Sequence, residues 1–466
     1  MLFNYLSTAR KSKRSQSALE YMMTYGWAIL IIVIVAVILY SMGIFNPSSS
    51  LVSTVTGFDG FTVQSNCVAG GTLVLSVSDI FGYPAKIDYM NVSFSNGSVL
   101  TEPVNYTLST SGSHNFYLQN ACPTTSNSYY SDKITIVGKE YNSLYSPFLS
   151  TGSVSGHIST LIPYQILENI SVQGFPTANA ISPNGYYVWQ PNQGPGTISI
   201  VNVVSASVIK TLYNLPARVV VFNKNGSLAF IAGNSGFAPA GSYLIVMNTS
   251  NYKIIKNIST VCEPQMLSLS PNGQILFVPD LSCGYFIAIN TSSLNVIENV
   301  STGSLRFWLA QESPDSQEIY LVDPYKGIVS IMNPSSYSIT KNLTGFVQLR
   351  SIVFTSNSQY AYVGGGRYLN EIDVSSESVL NNITILNRSG VSGFTMSNNG
   401  NYIYVPSCFS SGISLTPVFD TSTNSVIQNI TLPGMYHCVP YGVLTHSNNF
   451  LYLASASGNS LFVISV

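Results

Sequence analysis

Charge is scarce in this chain. Only 8% of its 466 residues are Asp, Glu, Lys or Arg, and the formal net charge is −1. Nucleic-acid binders carry a basic stripe or patch. Here four of the 18 basic residues, Arg10, Lys11, Lys13 and Arg14, stand in the first fourteen positions. Nothing comparable follows, which argues against nucleic acid as a partner. Low charge alone could mean disorder, but 45% of the residues are hydrophobic, enough to build packed cores. Glu and Lys, the usual helix formers, are few, whereas there are 30 tyrosines and 22 phenylalanines. That balance predicts a mainly β body.

Catalytic and metal-binding signatures are missing too. The sequence has no G-x-S-x-G elbow, H-E-x-x-H pair, Walker loop or EF-hand loop. Its four histidines, His114, His157, His437 and His446, form no ligand pattern, and the six cysteines lack C-x2-4-C spacing. No metal and no cofactor is expected, and Asp280, Asp315, Asp323 and Asp373 recur near strand ends, where carboxylates cap turns.

The opening segment is different. From Gly26 to Phe45 twenty residues carry no charge, a helix length of about 30 Å, one hydrocarbon core. Basic residues precede it and Asn46-Pro47-Ser48 follows, so the N-terminus is expected in the cytoplasm and the remainder outside. The run is too long for the apolar region of a cleaved secretory signal, and no small-x-small site follows.

The stretch KRSQSALEYMMTYGWAILIIVIVAVILYSMGIF resembles the class III signal sequence of archaeal type IV pilin-like proteins. The resemblance implies cleavage by a prepilin-type signal peptidase between Ser15 and Gln16. It also makes Glu20 the residue that pairs with a neighbouring pilin-like subunit during assembly. Ser15 and Ala18 depart from the commoner residues of that family. Residues 1–15 are thus expected to be a basic leader and 16–46 a pilin-like transmembrane helix.

Residues 51–150 read as a small extracellular β-sandwich-like module. Its short strands include Phe61–Cys67, Gly71–Asp79, Lys86–Phe94, His114–Cys122 and Lys133–Val137. Cys67 and Cys122, its cysteines, are expected to pair in an oxidising exterior.

Beyond residue 155 a hairpin signal recurs seven times. SPNG appears at Ser182–Gly185 and again at Ser270–Gly273, and related turns fall near Gly226, Ser316, Ser358, Gly400 and Asn448. Intervals of 41 to 48 residues, each with four short strands, give the period of a β-propeller blade. Residues 155–466 are therefore expected to form seven blades. The seventh unit stops one strand short, and Tyr164–Ser171 has the pattern to complete it. EIYLVD, YAYVGG and YIYVPS resemble the middle strand of YVTN-type propellers of microbial surface proteins.

In such blades Cys262 and Cys438 precede first strands, while Cys283 and Cys408 follow second strands. Both kinds of loop emerge on one face, which suggests Cys262–Cys283 and Cys408–Cys438 pairs. Trp189, Tyr285, Trp308, Tyr368, Phe409 and Tyr436 are expected on the same face, as a surface for an extracellular protein or glycan ligand. Triplets of the N-x-S/T type are numerous, including those at Asn91, Asn225, Asn257 and Asn429, as chance alone would give. The expected role is cell-surface display for adhesion or recognition, as a minor or tip subunit of a pilus-like filament. A non-assembling single-pass anchor is the alternative, and a propeller enzyme such as a lactonase ranks third.

Overall fold

The computed structural model describes residues 25–26, 29–35 and 53–466, apart from 126–127, 142–143, 161, 216, 234–242, 261–263, 304, 388–389, 408–413, 434–440 and 457. Residues 25–26 and 29–35 are helical. Among the described residues no helix is long and apolar enough to cross a membrane. Ser15, Gln16, Glu20 and most of the expected 16–46 helix lie outside them. The chain divides into two compact units, Met1–Thr54 and Val55–Val466.

The second unit begins with a β-sandwich. One sheet runs in the order Thr54–Thr56, Pro147–His157, Tyr129–Glu140, Ala85–Ser93, Val99–Leu108, and faces a three-stranded sheet of Phe61–Val68, Thr72–Asp79 and Ser113–Leu118. Strict alternation builds the core. In Phe61–Val68, Phe61, Val63, Ser65 and Cys67 turn inward while Thr62, Gln64 and Asn66 face out. Cys67 and Cys122 are disulfide-bonded, 6.3 Å apart at Cα and 55 residues apart in sequence. Closing a loop of that length stabilises the fold by about 4 kcal/mol in the chain-entropy picture. The sandwich does not end near residue 150. Alternation continues through Pro147–His157, and Ile158 is buried in the same core.

Among the described residues, seven four-stranded antiparallel sheets follow in a propeller-like succession. The fourth strands are Ser207–Leu212, Ile254–Ser259, Val296–Ser301, Ile339–Thr344, Ser378–Thr384, Ser425–Leu432 and Ile166–Ser171. The last precedes the first sheet in sequence yet pairs with the C-terminal Ser460–Ser465, as expected from the missing strand. The first strands of the first and second sheets lie side by side, as do those of the third and fourth and of the fourth and fifth. Ala180–Ile181 of the first sheet also lies beside Gly442–Leu444 of the seventh, so the succession returns on itself. Middle strands are covered on both faces. Ile319–Asp323 is buried at every residue, as is Phe450–Ser455.

One device closes all seven hairpins between first and second strands. A side-chain oxygen accepts a hydrogen bond from the backbone N–H five residues on. The acceptors are Ser182, Asn223, Ser270, Ser313, Thr355, Ser397 and Thr445, at 2.8 to 3.2 Å. Three residues after each acceptor the backbone turns left-handed, with φ of 78° at Gly185 and 58° at Ser316. The recurring aspartates are caps: Asp280 accepts from the backbone N–H groups of Ser282 and Cys283, and Asp323 from those of Tyr325 and Lys326.

The sandwich packs on the first and seventh sheets. Asn449 Nδ2 donates to Gly70 O (3.0 Å) and Thr72 Oγ1 (2.9 Å), and Asn202 Nδ2 donates to Pro103 O (2.7 Å). Tyr117 packs against Phe450 and donates to Glu168 Oε1 at 2.9 Å. Gly70, at φ 96°, lets the sandwich backbone come this close, because a Cβ there would collide with the Asn449 carboxamide.

Candidate binding site

The segments that lead into the first strands converge on a cavity of about 700 Å³. Thr177, Arg218, Trp308, Arg350, Ser392 and Tyr441 reach it from six different sheets. Cavities of this size suit small organic ligands or a short oligosaccharide.

Among its lining residues, Trp308 has two guanidinium groups over its ring. Arg350 lies 4.5 Å from the ring centroid and Arg218 4.9 Å. The attraction is between cation and ring quadrupole, worth about 0.5–2 kcal/mol depending on burial. Trp308 Nε1 donates to Tyr441 OH at 3.0 Å, and Tyr441 OH donates to Arg350 O at 2.9 Å. Burial raises the Tyr441 phenol above its ordinary range, so it stays a neutral donor. No described residue lining the cavity is acidic, and Arg218 and Arg350 bring two positive charges to it.

The rim adds exposed aromatics. Phe175 is 60% exposed and Tyr325 68%. Phe175 (φ 53°) and Gln348 (φ 49°) both hold left-handed backbone here. A second cavity of about 530 Å³, lined by Ala178, Val220, Met266 and His446 among others, shares Tyr441 with the first.

The six aromatics expected on a recognition face separate. Trp308 belongs to the site. Trp189 does not: it is 2% exposed, within the second strand Tyr187–Asn192, and packs edge-on against Phe222 at 5.2 Å. Both faces of that strand are covered by neighbouring sheets, which removes Trp189 from any surface. Tyr285 and Tyr368 are half-buried at the starts of third strands, and Arg367 Nη2 donates to Tyr368 OH at 2.7 Å. Phe409 and Tyr436 lie outside the described residues. Cys283 is disulfide-bonded, to a partner outside the described residues, where Cys262, Cys408 and Cys438 also lie. His114 is structural, its Nε2 2.6 Å from Ser205 O and its ring stacked on Tyr106. Arg218, Arg350, Phe175 and Tyr325 were not legible as a site, since no local motif joins residues spread from position 175 to position 350.

No protein-family model matches the chain, and no curated protein matches it. Among solved structures it is similar to Kuenenia stuttgartiensis hydrazine synthase, at a TM-score of 0.54 and 16% identity, over 63% of this chain and 96% of that one. A likeness at that identity concerns the fold alone.

Proposed function

We propose that this chain is a cell-surface recognition protein. In this reading a pilin-like segment at residues 16–46 anchors it in the membrane, and the sandwich and a seven-bladed YVTN-type propeller stand outside. The cavity around Trp308 binds an acidic glycan. The observation that carries the reading is the Trp308–Arg350 stack in a cavity of about 700 Å³ with no acidic residue among its described lining. Planar guanidinium groups suit carboxylates, and exposed rings such as Phe175 and Tyr325 suit sugar faces. The anchor reading is supported by the uncharged Gly26–Phe45 run behind its basic cluster. Filament assembly through Glu20 extends it, and a non-assembling anchor is the alternative.

The test is calorimetric titration of the full-length, detergent-solubilised protein with a hexuronate oligosaccharide and with a neutral oligosaccharide of equal length. Saturable binding of the acidic sugar, weakened by salt, is the expected result. Equal binding of the two sugars, or none, contradicts the proposal. Mapping the mature N-terminus tests the anchor separately. A start at Gln16 supports pilin-type processing, and a retained Met1 supports the plain anchor.

A further inference from the structure

Each of the seven outer strands carries a β-bulge at the same place in its register. Six of them also place an N-x-S/T triplet at one register. Asn257 pairs with Ile245, Asn299 with Ile287, Asn342 with Ser330, Asn382 with Asn370, Asn429 with Pro417 and Asn169 with Phe462. In all six, the Asn and the Ser or Thr two residues on are exposed, and the residue between is turned inward. The chain has thirteen such triplets in 466 residues, so six on a single register of seven strands are not scatter. The seventh outer strand has Thr211 there, opposite Ser199, and it is the one beside which the sandwich strand Val99–Leu108 packs.

The bulge residues explain why such a row is useful. Ile255, Ile297, Leu380 and Ile427 stand two positions before their asparagines and are 50, 48, 49 and 45% exposed. An open strand edge beside exposed apolar side chains invites edge-to-edge association, which proteins commonly block with lysine or proline. A chain with 8% charged residues has little of the first device.

We infer that these six asparagines are N-glycosylation sites, giving the ring a belt of glycans over its free edges. The inference rests on the surface reading above. The co-reactant is an oligosaccharide carried on a polyprenyl phosphate or diphosphate, presented by a transferase outside the membrane. The Asn Nδ2 attacks C1 of the sugar, the N–C1 bond forms and the bond from C1 to the phosphate oxygen breaks. One Nδ2 proton passes to the transferase's base, and the polyprenyl phosphate or diphosphate leaves. Asn248 and Asn290 also open triplets but are half-buried. Each stands at the end of a third strand, off the outer-strand row, its Oδ1 accepting from backbone N–H groups two and three residues on, and its half-burial is why no adduct is expected there.

The experiment is glycopeptide mapping of the native full-length protein by mass spectrometry, with protease accessibility on intact cells measured in parallel. Adducts at the six outer-strand asparagines and none at Asn248 or Asn290 are expected. Ser259→Ala should lose one glycan mass, at Asn257 alone, with unchanged melting because Ser259 is exposed. Six unmodified asparagines in a protein that protease reaches overturn the glycan belt and leave the surface reading standing. Six unmodified asparagines in a protein that protease cannot reach overturn both. Glycans confined to the sandwich or to Asn248 and Asn290 also overturn the inference.

Discussion

Arg350 and Trp308 are joined twice: the guanidinium lies over the indole ring at 4.5 Å, and Tyr441 OH bridges the indole N–H to the Arg350 carbonyl. Removing the bridge leaves a donor and an acceptor unsatisfied in the cavity lining. Tyr441→Phe is therefore expected to destabilise the fold by about 1–3 kcal/mol, read as a lower midpoint in urea unfolding with an unchanged slope.

Phe175 and Tyr325 separate binding from stability. Both are exposed, so alanine at either position should leave the unfolding midpoint within about 0.5 kcal/mol of wild type. The double variant should still bind the acidic oligosaccharide about tenfold more weakly, roughly 1.4 kcal/mol of lost contact. Unchanged affinity in calorimetry would remove the rim aromatics from the site.

Closure of the ring depends on Ile166–Ser171. Ile170 is 6% exposed, pairs with Leu461 and packs beside Phe450 and Tyr452. Ile170→Ala should cost about 2–5 kcal/mol, whereas Ile427→Ala, at an exposed bulge of the neighbouring sheet, should cost little. Equal effects in thermal unfolding would contradict a closing role for that strand.

Acidity should stabilise the protein. Burial pushes the Glu102 carboxyl from 4.5 up to about 7 and Asp132 from 3.8 up to about 6. Because the folded values lie above the unfolded ones, the native state keeps its protons longer. Their contribution is fully present below pH 4.5 for Glu102 and is lost as pH rises through about 7. Melting temperature should thus fall between about pH 5 and pH 8, by an amount corresponding to about 1–3 kcal/mol for Glu102. Glu102→Gln should raise the melting temperature at the upper pH and flatten the dependence.

Much of the β architecture was legible because it repeats. The turn positions Gly185, Gly226, Gly273, Ser316, Ser358, Gly400 and Asn448 are local chemistry, and all seven adopt left-handed backbone. The closing strand was legible because its alternation matches the outer strands of the other sheets. Val99–Leu108 was not, since Pro103 interrupts its apolar pattern, and the strand sits at a sheet edge. Packing of the sandwich on the ring was invisible too. It depends on Asn449 meeting Gly70 across 379 positions, and no periodicity encodes that. The outer-strand asparagines looked like scatter until the register aligned them. Trp189 misled because aromatics near strand ends appear identical in sequence whether covered by a neighbouring sheet or not.

The most direct measurement is the binding isotherm of the acidic oligosaccharide for wild type and Arg350→Ala, at matched ionic strength. The account predicts at least a tenfold weaker affinity in the variant and no change toward the neutral sugar, with both proteins equally folded by circular dichroism. Identical isotherms for the two proteins would contradict recognition at the Trp308 cavity.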